Sequence, residues 1–476
     1  MKGWQLRKMG IPNGVCIQAA VQGIQKAAAG GLVGEALEEA LQRVSDAPQD
    51  FLEDAVWSEL ARALLKVRQA RGRFTGREQP APSNIWGKNL DPGALEQLAN
   101  ACRLPVSVAA ALMPDAHKGY GLPIGGVLAV ENAVIPYAVG VDIACRVRLS
   151  VLDMPPEALE ARKDELIESL EQETRFGVGT RFKPRRRHEV MDDPAWREIS
   201  VLRETSERAA VQLGTSGGGN HFAEYGLLEV LDGFRGLGPG RYVALLSHSG
   251  SRGTGEHVAR HYSNLAMQMH PELPDELLHL AWFDLDSDEG REYWRAMKLM
   301  GRYSAANHEI IHRHVVGRLG AGVLATVENH HNFAWKEEFD GREVVIHRKG
   351  ATPAAKGVLG VIPGSMAAPA YVVRGKGNPL SLNSAAHGAG RAMSRIEAES
   401  RFTREDLDAA LDAAGVTLLS AGVDEAPMAY KDIEEVMAAQ DDLVERIARF
   451  DPWLVKMAPA SKGPSWRRKK IRKKQK

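Results

Sequence analysis

The chain of 476 residues, 44% of them hydrophobic and 26% charged, is long enough for a large core in two or more structural units and has the balance of an ordinary globular protein. No apolar run approaches the roughly 20 residues that a membrane-spanning helix requires, and the N-terminus lacks the apolar stretch of a secretory signal. Three cysteines (Cys16, Cys102 and Cys145) are too few for a disulfide scaffold and suit a reducing, cytoplasmic compartment.

Residues 1 to about 70 read as helical. "GEALEEALQRVSD" and "EDAVWSELARALLKVRQ" carry apolar residues at three- and four-residue spacing with few β-branched side chains. "RGRFTGREQPAPSN" (71–84) is rich in Arg, Gly and Pro and reads as a linker, with a boundary near residue 79. "LEQLANACRL" predicts a helix. Beyond it, "GGVLAV", "RVRLSVL", "YVALLSHSG", "AGVLATVENHH" and "GREVVIHRKG" predict short strands. A long helix is expected from Ser287 to about Leu319. The fold class is therefore mixed α/β behind an N-terminal helical extension.

The formal charge of zero hides an asymmetry. Eight of the last eleven residues, "WRRKKIRKKQK", are basic, which leaves 53 basic against 61 acidic residues elsewhere. A second basic stretch, "RFKPRRRH" (181–188), contains a proline and is expected to be a loop. Clustered Lys and Arg release counterions from nucleic acid, although such runs are commonly just solvated.

Chemistry-bearing residues recur at predicted strand ends. They are Asp115 and His117; Asp142 and Cys145; Asn220, His221 and Glu224 behind a glycine loop; His248 and Arg252; His330 and His331; and His387, Arg391 and Arg395. One thiol, several imidazoles and a carboxylate suit Mn²⁺, Zn²⁺, Fe²⁺ or Co²⁺ better than Mg²⁺ or Ca²⁺. A thiolate can also bridge two cations. A rival pattern lies in "NHEIIHRH", where His308-Glu309-x-x-His312 has the spacing of a zinc metalloprotease. Three fixed positions are a weak signal, and structural helix residues are the favoured reading.

In this order, "MPDAHKGYGLPIGG", "GVDIAC", "GNHFAE", "HSGSRGTG", "HRKGATPA", "IPGSM", "HGAGR" and "DEAPMAYKDI" resemble the RtcB family of RNA ligases over about residues 84–463. The resemblance implies packed β-sheets with surrounding helices and a deep metal-containing cleft. The catalytic domain would span 79–463, after a helical extension over 1–78 and before a basic tail over 464–476 that is expected to be disordered. By position, the resemblance implies that Asp142, Cys145, His221, His248 and His331 ligate two Mn²⁺ ions. His387 matches the nucleophile that takes GMP from GTP, and Asp115 the carboxylate that orients it. Asn220, Glu224, Ser365, Arg395, Tyr430 and Lys462 match positions around the guanylate.

The implied reaction joins RNA 2′,3′-cyclic phosphate or 3′-phosphate ends to 5′-hydroxyl ends, through a histidine–GMP intermediate and an RNA-ppG activated end. RNA ends (tRNA halves or cleaved RNA) and GTP are the implied partners, in RNA repair or tRNA splicing, with any activating protein left open. Arg146 is a departure, standing after the metal cysteine where the family has glycine and adding a cation there. The alternatives are the disfavoured protease and a non-catalytic RNA-end binder, against which His387 and the full donor set argue.

Overall fold

The computed structural model describes residues 1, 3–12, 14–70 and 74–460; Lys462 and the tail at 464–476 lie outside the described residues. Four helices (Gly3–Lys8, Val15–Ala29, Glu35–Asp46 and Ser58–Ala70) precede the first strand, Ser83–Ile85. Their apolar stripes close on each other around Leu6, Leu41, Leu60 and Leu64, all at most 1% exposed. Gln268 donates to Gln18 at 3.1 Å and ties this bundle to the helix Arg252–Met269.

Two sheets build the body. In the first, Ser83–Ile85 pairs parallel with Ser107–Tyr120, followed by Leu122–Val130, Arg342–Lys349 and Asn332–Phe339, all antiparallel. The second runs Leu359–Ile362, Ala370–Gly375, Val444–Met457, Phe222–Val230, Gly240–Ser249, Arg146–Leu152 and Val323–His330. Thr417–Ser420 adds to it parallel to Val444–Met457. The two-residue alternation of strands decides what each face buries. Val127 and Ala129 pack towards Val373 and Ile362 of the second sheet, whereas Leu128 and Val130 pack towards the helices, with Leu98, Met297 and Met300.

The long helix Asp288–Leu319 starts at Ser287, whose hydroxyl accepts from Gly290 N–H at 3.0 Å. It stops at Gly320, which sits in the left-handed region at φ 63°. The five predicted strands and the predicted helices all form, within a few residues of the expected limits. "RFKPRRRH" has neither helix nor strand up to His188. Among the described residues, no helix is long and apolar enough to cross a membrane.

His347 in the strand Arg342–Lys349 gives the fold a pH dependence. It is fully buried, accepts Ile135 N–H on Nε2 at 2.9 Å, and burial pushes its pKa down to about 4. Between an unfolded value near 6.5 and about 4, the unfolded chain takes up a proton that the folded chain refuses. Stability is therefore expected to fall as pH falls through that window, by on the order of 3 kcal/mol from this residue. Urea midpoints measured from pH 7 to 4.5 should drop, and drop less steeply in His347→Gln.

Candidate metal and nucleophile site

Antiparallel pairing brings the donors together. Cys145 precedes the strand Arg146–Leu152 and His221 precedes Phe222–Val230, while His248 is the penultimate residue of Gly240–Ser249 and His331 follows Val323–His330. Neighbouring strands run in opposite directions, so these starts and ends meet at one end of the second sheet, with Phe222 opposite His248 and Arg146 opposite both Ser249 and His330. Cys145 Sγ lies 3.1 Å from His248 Nε2 and 3.4 Å from His221 Nε2, and His248 Nε2 lies 3.2 Å from His331 Nε2. Asp142 Oδ2 is 3.1 Å from His221 Nε2.

These contacts form two overlapping donor groups, Cys145–His248–His331 and Asp142–Cys145–His221, that share the sulfur. The Nδ1 atoms of His221 and His248 donate to the carbonyls of Ser216 (2.8 Å) and Asn220 (3.0 Å), which turns both Nε2 lone pairs inward. Lone pairs and a buried thiol facing each other at such distances repel unless a cation lies among them, so the donor set fits divalent metal. Burial drives His248 down to about 3 and holds His331 well below its usual range. Burial, then the nearby Asp142, raises the Cys145 thiol. Burial also opposes ionisation of Asp142, but its neighbours His221 and Arg252 outweigh burial and take it to about 2.

The long helix braces the loops behind the donors. Asn307 accepts Gly214 N–H at 2.8 Å and donates to Gly250 O at 3.2 Å, and Ser304 donates to Ala144 O at 2.7 Å. A Cβ on Gly250 would stand 2.2 Å from the Asp142 carboxylate oxygens, so any other residue there would displace that carboxylate.

The first sheet supplies the other half. Asp115 lies within Ser107–Tyr120 where pairing with Leu122–Val130 is interrupted, and it is fully buried. Its Oδ2 accepts from His387 Nδ1 at 2.6 Å and from His387 N–H at 3.1 Å. His387 Nε2 is thereby left as the ring nitrogen available to a ligand. The His387 and His331 ring centroids are 4.8 Å apart, so the nucleophile candidate adjoins the donor cluster. The chain itself links the halves, leaving the second sheet at His330 and entering the first at Asn332. Arg348, almost wholly buried, grips Glu337 at 2.6 and 3.1 Å and donates to Ser384 Oγ at 2.7 Å, fixing the short strand that delivers His387.

A cavity of about 350 Å³ opens over both halves. Asn220, Glu224, Ser365, Arg395 and Tyr430 line it; Asp115 sits behind His387. Burial pushes the Glu224 carboxyl up to about 8. Two lining residues escaped the sequence reading. Glu425 accepts from Tyr430 Oη, from Arg395 and, at 3.2 Å, from Arg391. Lys349, which burial lowers to about 7, donates to Tyr120 O. Both stood inside quoted motifs, "DEAPMAYKDI" and "HRKGATPA", but neither stands out until burial is known. Arg395 pairs with Asp424 (2.8 Å) and Glu425.

Arg146 points away from the expected role. Its guanidinium meets Glu328 at 2.7 Å, and Arg148 shares that carboxylate at 3.1 Å. The added cation is thus drawn into an ion pair within its own sheet, one carboxylate bridging two guanidinium groups.

The H-E-x-x-H segment is structural. His308 and His312 are 0% and 3% exposed, and Ser150 and Ser247 hydroxyls and the Ser249 carbonyl occupy all four ring nitrogens at 2.8–3.2 Å. Glu309 is turned to His188 (3.3 Å) and Arg313 (3.4 Å) instead. No lone pair is left for zinc, which removes the protease reading. Glu309→Gln is expected to leave the activity of the cleft within about twofold, since exposed ion pairs contribute little; a side-by-side activity assay of variant and parent checks it.

The family model described as tRNA-splicing ligase RtcB matches residues 97–199 and 191–458. The RNA-splicing ligase RtcB of Escherichia coli (strain K12) is 34% identical over 397 residues, covering 77% of this chain and 95% of that protein. The tRNA-splicing ligase RtcB of Methanococcus maripaludis is 32% identical, covering 75% of this chain and 90% of its own. That of Thermococcus kodakarensis is 30% identical, with 80% and 94% covered.

Proposed function

The chain belongs to the RtcB family and is an RNA ligase of tRNA splicing or RNA repair, and from that premise we propose that it works through a covalent guanylate on His387, using GTP and Mn²⁺. The observation that carries this is the Asp115–His387 pair beside the donor cluster. Asp115 holds the Nδ1 proton, so the Nε2 lone pair is directed at the incoming phosphate. Nε2 bonds to the α-phosphorus of GTP, and pyrophosphate leaves with the electron pair of the broken P–O bond. An RNA 3′-phosphate oxygen then attacks the same phosphorus, releasing His387 and forming the RNA-ppG end. A 5′-hydroxyl of the second RNA attacks the phosphorus of the first RNA's own 3′-phosphate within that end, loses its proton, and expels GMP with the bridging oxygen.

Asp142, Cys145, His221, His248 and His331 would hold two Mn²⁺ ions, which supply charge compensation at the transferring phosphate when bound. Asn220, Glu224, Ser365, Arg395 and Tyr430 would surround the guanylate, and Lys462 would join them. The ligase domain is assigned to 79–463, with 1–78 a helical extension. Incubation with α-labelled GTP and Mn²⁺ tests the reading: an acid-labile labelled protein that discharges on adding RNA 3′-phosphate supports it, and an unlabelled protein under every divalent metal refutes it.

A further inference from the structure

The basic loop at 181–188 has no part in the chemistry above, yet it is built against the site. Within seven residues Arg181, Lys183, Arg185 and Arg187 are all exposed, while Phe182 and Arg186 between them are buried. The Phe182 ring lies between two guanidinium groups, with Arg186 at 3.4 Å and Arg175 at 4.7 Å from its centroid. Arg186 is fastened to Glu173 at 2.5 Å and to the Glu173 and Gly214 carbonyls. The two buried residues set the register, so the four others are presented outward from a fixed base. A run that served only for solubility would not need such an anchor. Of the four, only Arg185 has an acidic partner among the described residues, Glu207 at 2.7 Å, and both of those side chains are more than half exposed.

The loop is joined to the metal end of the cleft by a short chain of contacts. Gly177 N–H donates to Gly217 O at 2.6 Å, and Ser216 N–H donates to Arg175 O at 2.9 Å, pairing the stretch just before the loop with the glycine segment before His221. Gly217 is at φ 82°, and a Cβ on it would overlap the Arg252 guanidinium at 1.1 Å. Arg252 in turn donates to Ser249 Oγ at 3.3 Å, next to the donor His248. Exposed Arg208, packed beside Gly253, adds a further cation next to Arg252.

We propose that the 181–187 loop is a docking surface for the RNA backbone, gripping phosphates of a strand whose reacting end lies in the cleft. This rests on the ligase reading for the identity of the partner. Exposed cations at a fixed spacing, three without an acidic partner among the described residues and Arg185 in a solvent-exposed pair that phosphate can displace, hold phosphates without reading bases, so the grip is independent of sequence and strongly salt-dependent. The N-terminal helices and the acidic remainder of the body offer no comparable run among the described residues.

The test is the fourfold variant Arg181→Gln, Lys183→Gln, Arg185→Gln and Arg187→Gln in the full chain. Its affinity for a fluorescent single-stranded RNA carrying a 3′-phosphate is compared with the parent from 50 to 200 mM KCl. Four phosphate contacts contribute about 0.7 each to the log–log slope for a single strand. The slope should therefore become shallower by about 3, with affinity at 50 mM reduced at least tenfold. Labelling by α-labelled GTP without RNA should be unchanged, which also shows that the variant folds. Equal slopes and affinities in variant and parent overturn the docking surface. If the parent binds RNA but is never labelled by GTP, the guanylate reading fails while the slope comparison still decides the loop.

Discussion

His387→Ala is expected to abolish labelling by α-labelled GTP and to lower RNA joining by at least about 10³-fold, the scale seen when a covalent nucleophile is deleted. Among the described residues, the one hydrogen bond that alanine forfeits is that of Nδ1 to the buried Asp115 carboxylate. The ring is only partly buried, and the backbone N–H to Asp115 remains in the variant. Asp115→Asn separates nucleophile from orienter. The amide is nearly isosteric, but it can present N–H where His387 Nδ1 needs an acceptor, favouring the wrong tautomer. Labelling should slow by about 10²- to 10⁴-fold with the affinity for GTP little changed. Equal labelling rates in Asp115→Asn and the parent would show that the 2.6 Å pair does not orient the nucleophile.

The second large effect is expected at Cys145. Its sulfur is the one atom shared by both donor groups, so Cys145→Ala weakens both at once. Metal bound per chain, measured by elemental analysis after dialysis against Mn²⁺, should fall to near zero, and guanylylation with it. The fold should persist, because trimming a buried CH2SH side chain to CH3 costs on the order of 1 kcal/mol. The metal-free forms of variant and parent should therefore unfold within a few degrees of each other. Affinity for metal in the parent should also weaken as pH falls, since binding must displace the proton from a thiol that burial and Asp142 hold high. A Cys145→Ala protein that keeps its full metal content would break the ligand assignment.

Local pattern was legible where it was periodic. "RVRLSVL" is the strand Arg146–Leu152 to the residue, and Ser287 to Leu319 marks the long helix together with its cap. The donor residues were legible as chemistry, Cys145, His248 and His331 at predicted strands and His221 behind a glycine loop. Their meeting depends on register: Phe222 opposite His248 and Arg146 opposite His330 are facts of long-range pairing that no local window carries. Arg146 shows the same limit in reverse. Beside Cys145 in the chain, it suggested a cation at the metal, but strand alternation turned it towards Glu328. The histidines of "HEIIH" have the spacing of ligands, and only the packed Ser150 and Ser247 hydroxyls reveal that their nitrogens are spent. Glu425 and Lys349 gain significance only from burial beside the cavity.

The most direct measurement is peptide mass spectrometry of the protein after incubation with GTP and Mn²⁺, under conditions that preserve phosphoramidates. A guanylate on the peptide containing His387, localised to its imidazole and absent after addition of RNA 3′-phosphate, is the predicted result. A guanylate carried by a lysine or by any other histidine, with His387 unmodified, would contradict it.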